Sequence, residues 1–260
     1  CHADAMASQV VGFVGPPGWS DPSPSEFETV FGVTGIGATL DLGDFDWKLD
    51  RIGATEPLLA DAAMELVARG ASAIGIVGTP FGWVGLGHGD SPHCRNARIA
   101  SECGVPVVSA VSGMLDWLGD LGARKVALAA TYYDPDWCER WERHIAAQGF
   151  DVTTCSSMAD LGIVDGPLEA TDETYWAPTP EQIERCVRGV LLDDPAEAVV
   201  VSGAGARTLA CHERLCAIAG VPVVSSDLGL YRALRGTMHS TPEPAATARA
   251  AQPRADRAVR

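Results

Sequence analysis

The chain has no apolar run that approaches the roughly 20 residues a helix needs to cross a bilayer. It also lacks a basic segment followed by an apolar one, so neither a membrane span nor a leader is expected. Basic charge is scarce: 19 Lys and Arg face 34 Asp and Glu, a formal charge of −15. That balance argues against nucleic acid and anionic membrane as partners. If the substrate is an anion, its charge must then be met locally, by backbone N–H groups and hydroxyls. No two of Cys94, Cys103, Cys138, Cys155, Cys186, Cys211 and Cys216 show C-x-x-C spacing. A disulfide framework and a zinc or other metal site are therefore unsupported, and reduced, mostly buried thiols in a cytosolic protein are expected.

What the chain has is apolar bulk and a repeat. Hydrophobic residues make up 47% of its 260 positions and charged ones 20%, enough for one large core or two lobes of about 100 residues each. The phrase Gly104-Val105-Pro106-Val107-Val108-Ser109 returns as Gly220-Val221-Pro222-Val223-Val224-Ser225. Each copy lies between helical-looking stretches. Upstream of each is an apolar strand that runs into small residues, Ile74-Gly75-Ile76-Val77-Gly78-Thr79 and Val199-Val200-Val201-Ser202-Gly203-Ala204. Strand, small-residue turn, helix and strand, occurring twice, reads as a duplicated α/β unit. Two such halves facing each other make a cleft at the carboxyl ends of their strands, the usual ligand position in open α/β sheets.

The remaining elements follow from local pattern. Residues 9–15 read as a first strand that ends in Pro16-Pro17-Gly18, and a second strand is expected around Val33-Thr34-Gly35-Ile36-Gly37. One helix is expected over residues 52–69, capped by Gly70. Lys125-Val126-Ala127-Leu128-Ala129-Ala130 has a buried-strand pattern; a helix over 137–148 and a strand over 152–155 follow. Residues 161–178 look like loop, and Thr179-Pro180-Glu181-Gln182 is a helix start with Thr as cap and Gln reaching back. The expected organisation is a first lobe over 9–120, a second over 121–224, and a closing segment over 225–240 that returns to the first. Residues 1–8 read as an added or frayed end and 241–260 as a disordered tail.

In that order and spacing, Val14-Gly15-Pro16-Pro17, Gly78-Thr79, Ala127-Leu128-Ala129-Ala130-Thr131-Tyr132, Ser202-Gly203-Ala204-Gly205 and residues 220–226 resemble the aspartate/glutamate racemase superfamily. Within it they resemble the arylmalonate decarboxylase and maleate isomerase branch, over roughly residues 9 to 238. The resemblance implies two similar lobes, each a parallel sheet flanked by helices, related by pseudo-twofold symmetry. It implies cofactor-free chemistry on a small carboxylic acid held between the lobes by hydroxyls and backbone N–H groups. Racemases of this kind carry a cysteine on each turn; the corresponding positions here are Gly78 and Gly203. Two-base racemization then lacks both partners. Maleate-type isomerization needs a substitute thiol as nucleophile, and Cys94 could supply it only if its loop folded inward. Decarboxylation asks for donors aimed at the remaining carboxylate and one proton source, so lyase chemistry survives best.

The same resemblance assigns carboxylate binding to Pro16, Thr79, Tyr132 and the amides of Gly203 and Ala204. Pro80 takes the place of a residue that donates through side chain and N–H, and proline does neither. Candidate proton donors are Tyr132, Ser202, His88 and His93, with the glycine-rich segment 81–94 read as a mobile lid. Tyr133, Asp134, Tyr175 and Trp176 could line an aromatic pocket or belong to the core. Rival readings are an isomerase or racemase with a relocated acid/base, and a non-catalytic carboxylate-binding protein. A homodimer is compatible with the sequence, which does not decide between monomer and dimer.

Overall fold

A computed structural model describes residues 9–43, 48–87, 89–166, 177–192 and 195–239. The first half runs β1 (Val10–Gly15), α1 (Ser23–Phe31), β2 (Thr34–Thr39), α2 (Leu49–Gly53), α3 (Glu56–Ala68), β3 (Ala73–Ile76), α4 (Thr79–Trp83), α5 (Pro92–Cys103), β4 (Val107–Ser109) and α6 (Ala110–Asp120). The second runs β5 (Lys125–Thr131), α7 (Pro135–Ala147), β6 (Asp151–Ser157), α8 (Pro180–Gly189), β7 (Ala198–Val201), α9 (His212–Ala219), β8 (Val223–Ser225) and α10 (Ser226–His239). The outlying segments 1–8 and 241–260 fall outside the described residues, as do Tyr175 and Trp176.

Two parallel sheets result, ordered β2-β1-β3-β4 and β6-β5-β7-β8. The orders are the same, so the sequence repeat is a structural one. Continuous small and branched apolar runs suit strands covered on both faces: Ala127 to Ala130 and Val199 to Val201 are fully buried. In each sheet the chain steps outward (β1 to β2, β5 to β6) and then crosses back to the other side. That reversal opens a crevice at the carboxyl ends of β1 and β3, and equally of β5 and β7.

The repeat phrase becomes β4 and β8, and the helices that follow, α6 and α10, pack on each other. Gly113 and Gly229 occupy matching positions, each four beyond the serine that ends its phrase. A Cβ on Gly113 would lie 2.2 Å from the Gly229 carbonyl oxygen, so only glycine lets these backbones meet. α6 starts from Ser109, whose hydroxyl accepts from Ser112 N–H in a capping box. Thr179 and Gln182 form the same device at α8, at 2.8 and 3.3 Å. The single helix expected over 52–69 is two helices. The chain restarts at Thr55 because Pro57 is tolerated only in a first turn.

Candidate active site

The four strand ends at the two crevices converge. After β3, Gly78 takes φ +85°, caps α4 and turns the chain at Thr79, which is fully buried. After β7, Gly203 takes φ +117°. At the end of β5, Thr131 has φ +46°, a conformation that costs a β-branched residue roughly 1–3 kcal/mol. Its hydroxyl donates to the Ser202 carbonyl at 2.6 Å, and its own carbonyl accepts from Met158 N–H at 2.6 Å. These bonds hold the strained corner from which Tyr132 reaches toward the β7 turn.

The corners touch. The Gly203 N–H donates to Thr79 Oγ1 at 3.4 Å, across the two lobes. The Gly205 N–H donates to the Tyr132 hydroxyl at 3.2 Å, and the Ala204 N–H also favours the ionised phenol. A Cβ on Gly203 would lie 2.7 Å from the Tyr132 Cζ and hydroxyl oxygen, so the tyrosine ring occupies the space a side chain there would need. Burial nonetheless pushes the Tyr132 phenol well above its ordinary value, and that of Tyr133 likewise, so both remain neutral donors.

Pro16, Gly78, Pro80, Phe81, Tyr132, Tyr133, Trp137 and Ala204 enclose a cavity of about 10 Å³, the room of about one water. A wider groove, about 1140 Å³, opens between α6 and α10 against Trp117, His212 and Arg232. It meets β4 near Pro106, at the amino end of the strand, away from the converging corners.

A charged group backs the cavity. Arg207 donates to the Ala204 carbonyl at 3.2 Å and pairs with Glu26 of α1, and the Tyr231 hydroxyl donates to Glu26 Oε2 at 2.8 Å. Asp21, in the loop between β1 and α1, accepts from Ser23 N–H at 2.7 Å through Oδ1. Its Oδ2 is buried and has no hydrogen-bond partner among the described residues. Burial raises the Asp21 carboxyl above its ordinary range, against the lowering influence of Ser23 and Arg207. The sequence offered no local signal for Asp21, Glu26 or Arg207, the first two at the start of α1 and the third far along the chain.

A family model described as arylmalonate decarboxylase matches residues 27–250. The chain belongs to the arylmalonate decarboxylase family. The arylmalonate decarboxylase of Bordetella bronchiseptica is 28% identical over 178 residues, 68% of this chain and 70% of that protein. The crystal structure of an arylmalonate decarboxylase superposes with a TM-score of 0.71 at 22% identity, covering 89% of this chain and 93% of that one. The maleate isomerase Iso from Pseudomonas putida S16 has the same fold, with a TM-score of 0.72 at 16% identity over 88% and 92%.

Against this family background, Pro16, Gly78, Thr79, Pro80, Tyr132, Gly203 and Ala204 all meet at the junction of the lobes. Ser202 lies beside it, fully buried, with a hydroxyl that has no partner among the described residues. His88 falls outside the described residues. His93 does not reach the cavity. It lies half-exposed in the first turn of α5, 2.8 Å from Asp116 of α6. Cys94, on the same turn, is exposed, and no cysteine lines the cavity.

The described parts of segment 81–94, which was expected to form a lid, are packed at both ends. Phe81 and Trp83 are buried in α4, and residues 92–94 begin α5. The buried Arg95 guanidinium donates to the carbonyls of Phe81 and Val84 at 3.0 and 2.9 Å and pairs with Glu56, which pins the segment down. Two of its glycines allow close packing: a Cβ on Gly82 would lie 2.3 Å from Val111, and one on Gly85 2.6 Å from the Gly53 carbonyl oxygen, whereas Gly87 and Gly89 face open space.

Proposed function

We propose that the chain is a cofactor-independent lyase that removes carbon dioxide from a small malonate-like acid. The observation that carries this reading is the pair of hydroxyl–amide contacts, Thr79 with Gly203 and Tyr132 with Gly205. Both amides point at an oxygen acceptor in a buried, largely apolar setting. A carboxylate supplies two such oxygens. In the reaction its oxygens take the amide hydrogens, while the hydroxyls of Thr79 and Tyr132 turn to donate. Loss of carbon dioxide places a second negative charge on that carboxylate as an enediolate, so the donors bind the transition state more strongly than the substrate. One such donor is worth roughly a hundredfold in rate.

The departing carboxylate lies toward Pro16, Pro80, Phe81 and Trp137, where it has no partner. The room of about one water does not admit a malonate, so the lobes must part for the substrate to enter. Arg207 contributes positive potential behind the Ala204 carbonyl in a chain whose net charge is −15. An isomerase that works by thiol addition lacks its nucleophile among the cavity-lining residues.

Incubation in heavy water with aryl- and alkylmalonates and with maleate separates the possibilities. Carbon dioxide release with one deuterium on the product's α-carbon is the expected result. Isomerized maleate would favour the isomerase, and binding without turnover a retired site.

A further inference from the structure

Resting on the decarboxylase reading, a second question is which group returns the proton. Asp21 follows Pro16 in the loop that leaves the end of β1. Its unpartnered, buried Oδ2 lies 3.8 Å from the point where a Cβ on Gly15 would stand, immediately before the cavity-lining Pro16. Across the lobe junction it is within electrostatic reach of Tyr132 and Arg207, and Glu26 of α1 faces it on its own side. Oδ1 already accepts from the Ser23 N–H at the start of α1, whereas Oδ2 has no hydrogen-bond partner among the described residues. A buried, unpaired carboxylate oxygen costs much more than a carboxylic acid in the same place.

We propose that Asp21 is the general acid that protonates the α-carbon after carbon dioxide has left. The bond between the α-carbon and the departing carboxyl breaks, and its electron pair enters the enediolate held by the Gly203 and Gly205 amides. The α-carbon then takes the proton from Asp21 Oδ2. The product carboxylate and an Asp21 carboxylate remain, and a solvent proton restores the acid. Burial holds the Asp21 carboxyl above the ordinary carboxylate range, which favours the protonated form this step needs. The buried hydroxyls of Ser202 and Tyr132 are weaker acids for the same task.

The test uses the full chain and the substrate decarboxylated by the wild type. Asp21→Asn keeps an acceptor for Ser23 and should lower kcat at least 100-fold, with KM within about threefold of wild type, as expected when only the proton-transfer step is lost. Asp21→Glu should recover part of the loss. Wild-type kcat should fall as pH rises through the Asp21 titration, and that limb should be missing from Asp21→Asn. A structural role alone would lower Tm in Asp21→Asn and leave the limb in place. Unchanged kcat and pH profile in Asp21→Asn would overturn the assignment while the decarboxylase reading stood. No turnover by the wild type would remove both.

Discussion

Gly203 is the position where the geometry of the site is most sharply constrained, and Gly203→Ala tests it. At φ +117° an L-residue is strained by roughly 1–3 kcal/mol. The new methyl would also lie 2.7 Å from the Tyr132 ring and hydroxyl, about 1 Å inside ordinary contact. Shifting a packed ring to make room adds roughly 1–3 kcal/mol. A total loss of about 2–6 kcal/mol is expected, a large part of a typical stability of about 5–15 kcal/mol. Urea denaturation with unchanged slope measures it, and Tm should fall by roughly 10 °C. The same substitution in a Tyr132→Ala background isolates the collision. There the cost should shrink by about 1–3 kcal/mol, leaving the backbone strain. A cost below about 0.5 kcal/mol, or an equal cost in both backgrounds, would refute the contact between the two corners. Since a cysteine begins with the same Cβ, Gly203→Cys should be destabilised at least as much.

Other outcomes can be measured on the same protein. Tyr132→Phe should lower kcat at least tenfold without changing Tm by more than a few degrees; unchanged kinetics would take the hydroxyl out of the mechanism. Arg95→Met leaves two carbonyls without their partner and Glu56 with Arg98 alone, and should cost about 3–5 kcal/mol, with faster hydrogen exchange over residues 81–87 than elsewhere. His144, stacked on Trp83 and Trp141, is lowered to about 4 by burial and by nearby Arg95. Its folded value lies below its unfolded value near 6.5, so its contribution is intact above pH 6.5 and is lost as pH falls toward 4. The slope there should approach roughly 1.4 kcal/mol per pH unit and flatten in His144→Phe; an unchanged slope would show that His144 is not buried as described.

The duplication was legible because Gly-Val-Pro-Val-Val-Ser marks the same strand and turn in both halves, and strand ends at small residues locate the crevice. Thr179 and Gln182 signalled a cap through local chemistry alone. Pro57 could have signalled the break between α2 and α3, but the apolar stripe across 52–69 continues over it. At Gly82 and Gly85 the sequence was ambiguous, because glycine reads the same whether it gives freedom or close approach. What decides between them is Val111 against Gly82, Gly53 against Gly85, and the buried Arg95, all brought in by tertiary packing. The pairing of Glu26 and Asp21 with Arg207 was illegible for the same reason, since no periodicity links the start of α1 to a residue that reaches it only when the second lobe closes on the first.

The grip on a carboxylate is tested most directly by a crystal structure with a non-reactive arylacetate bound. One carboxylate should lie between the lobes with its oxygens about 3 Å from the amide nitrogens of Gly203 and Gly205 and from the hydroxyls of Thr79 and Tyr132. An anion seated only in the groove between α6 and α10, with the Thr79–Gly203 and Tyr132–Gly205 contacts intact, would contradict it.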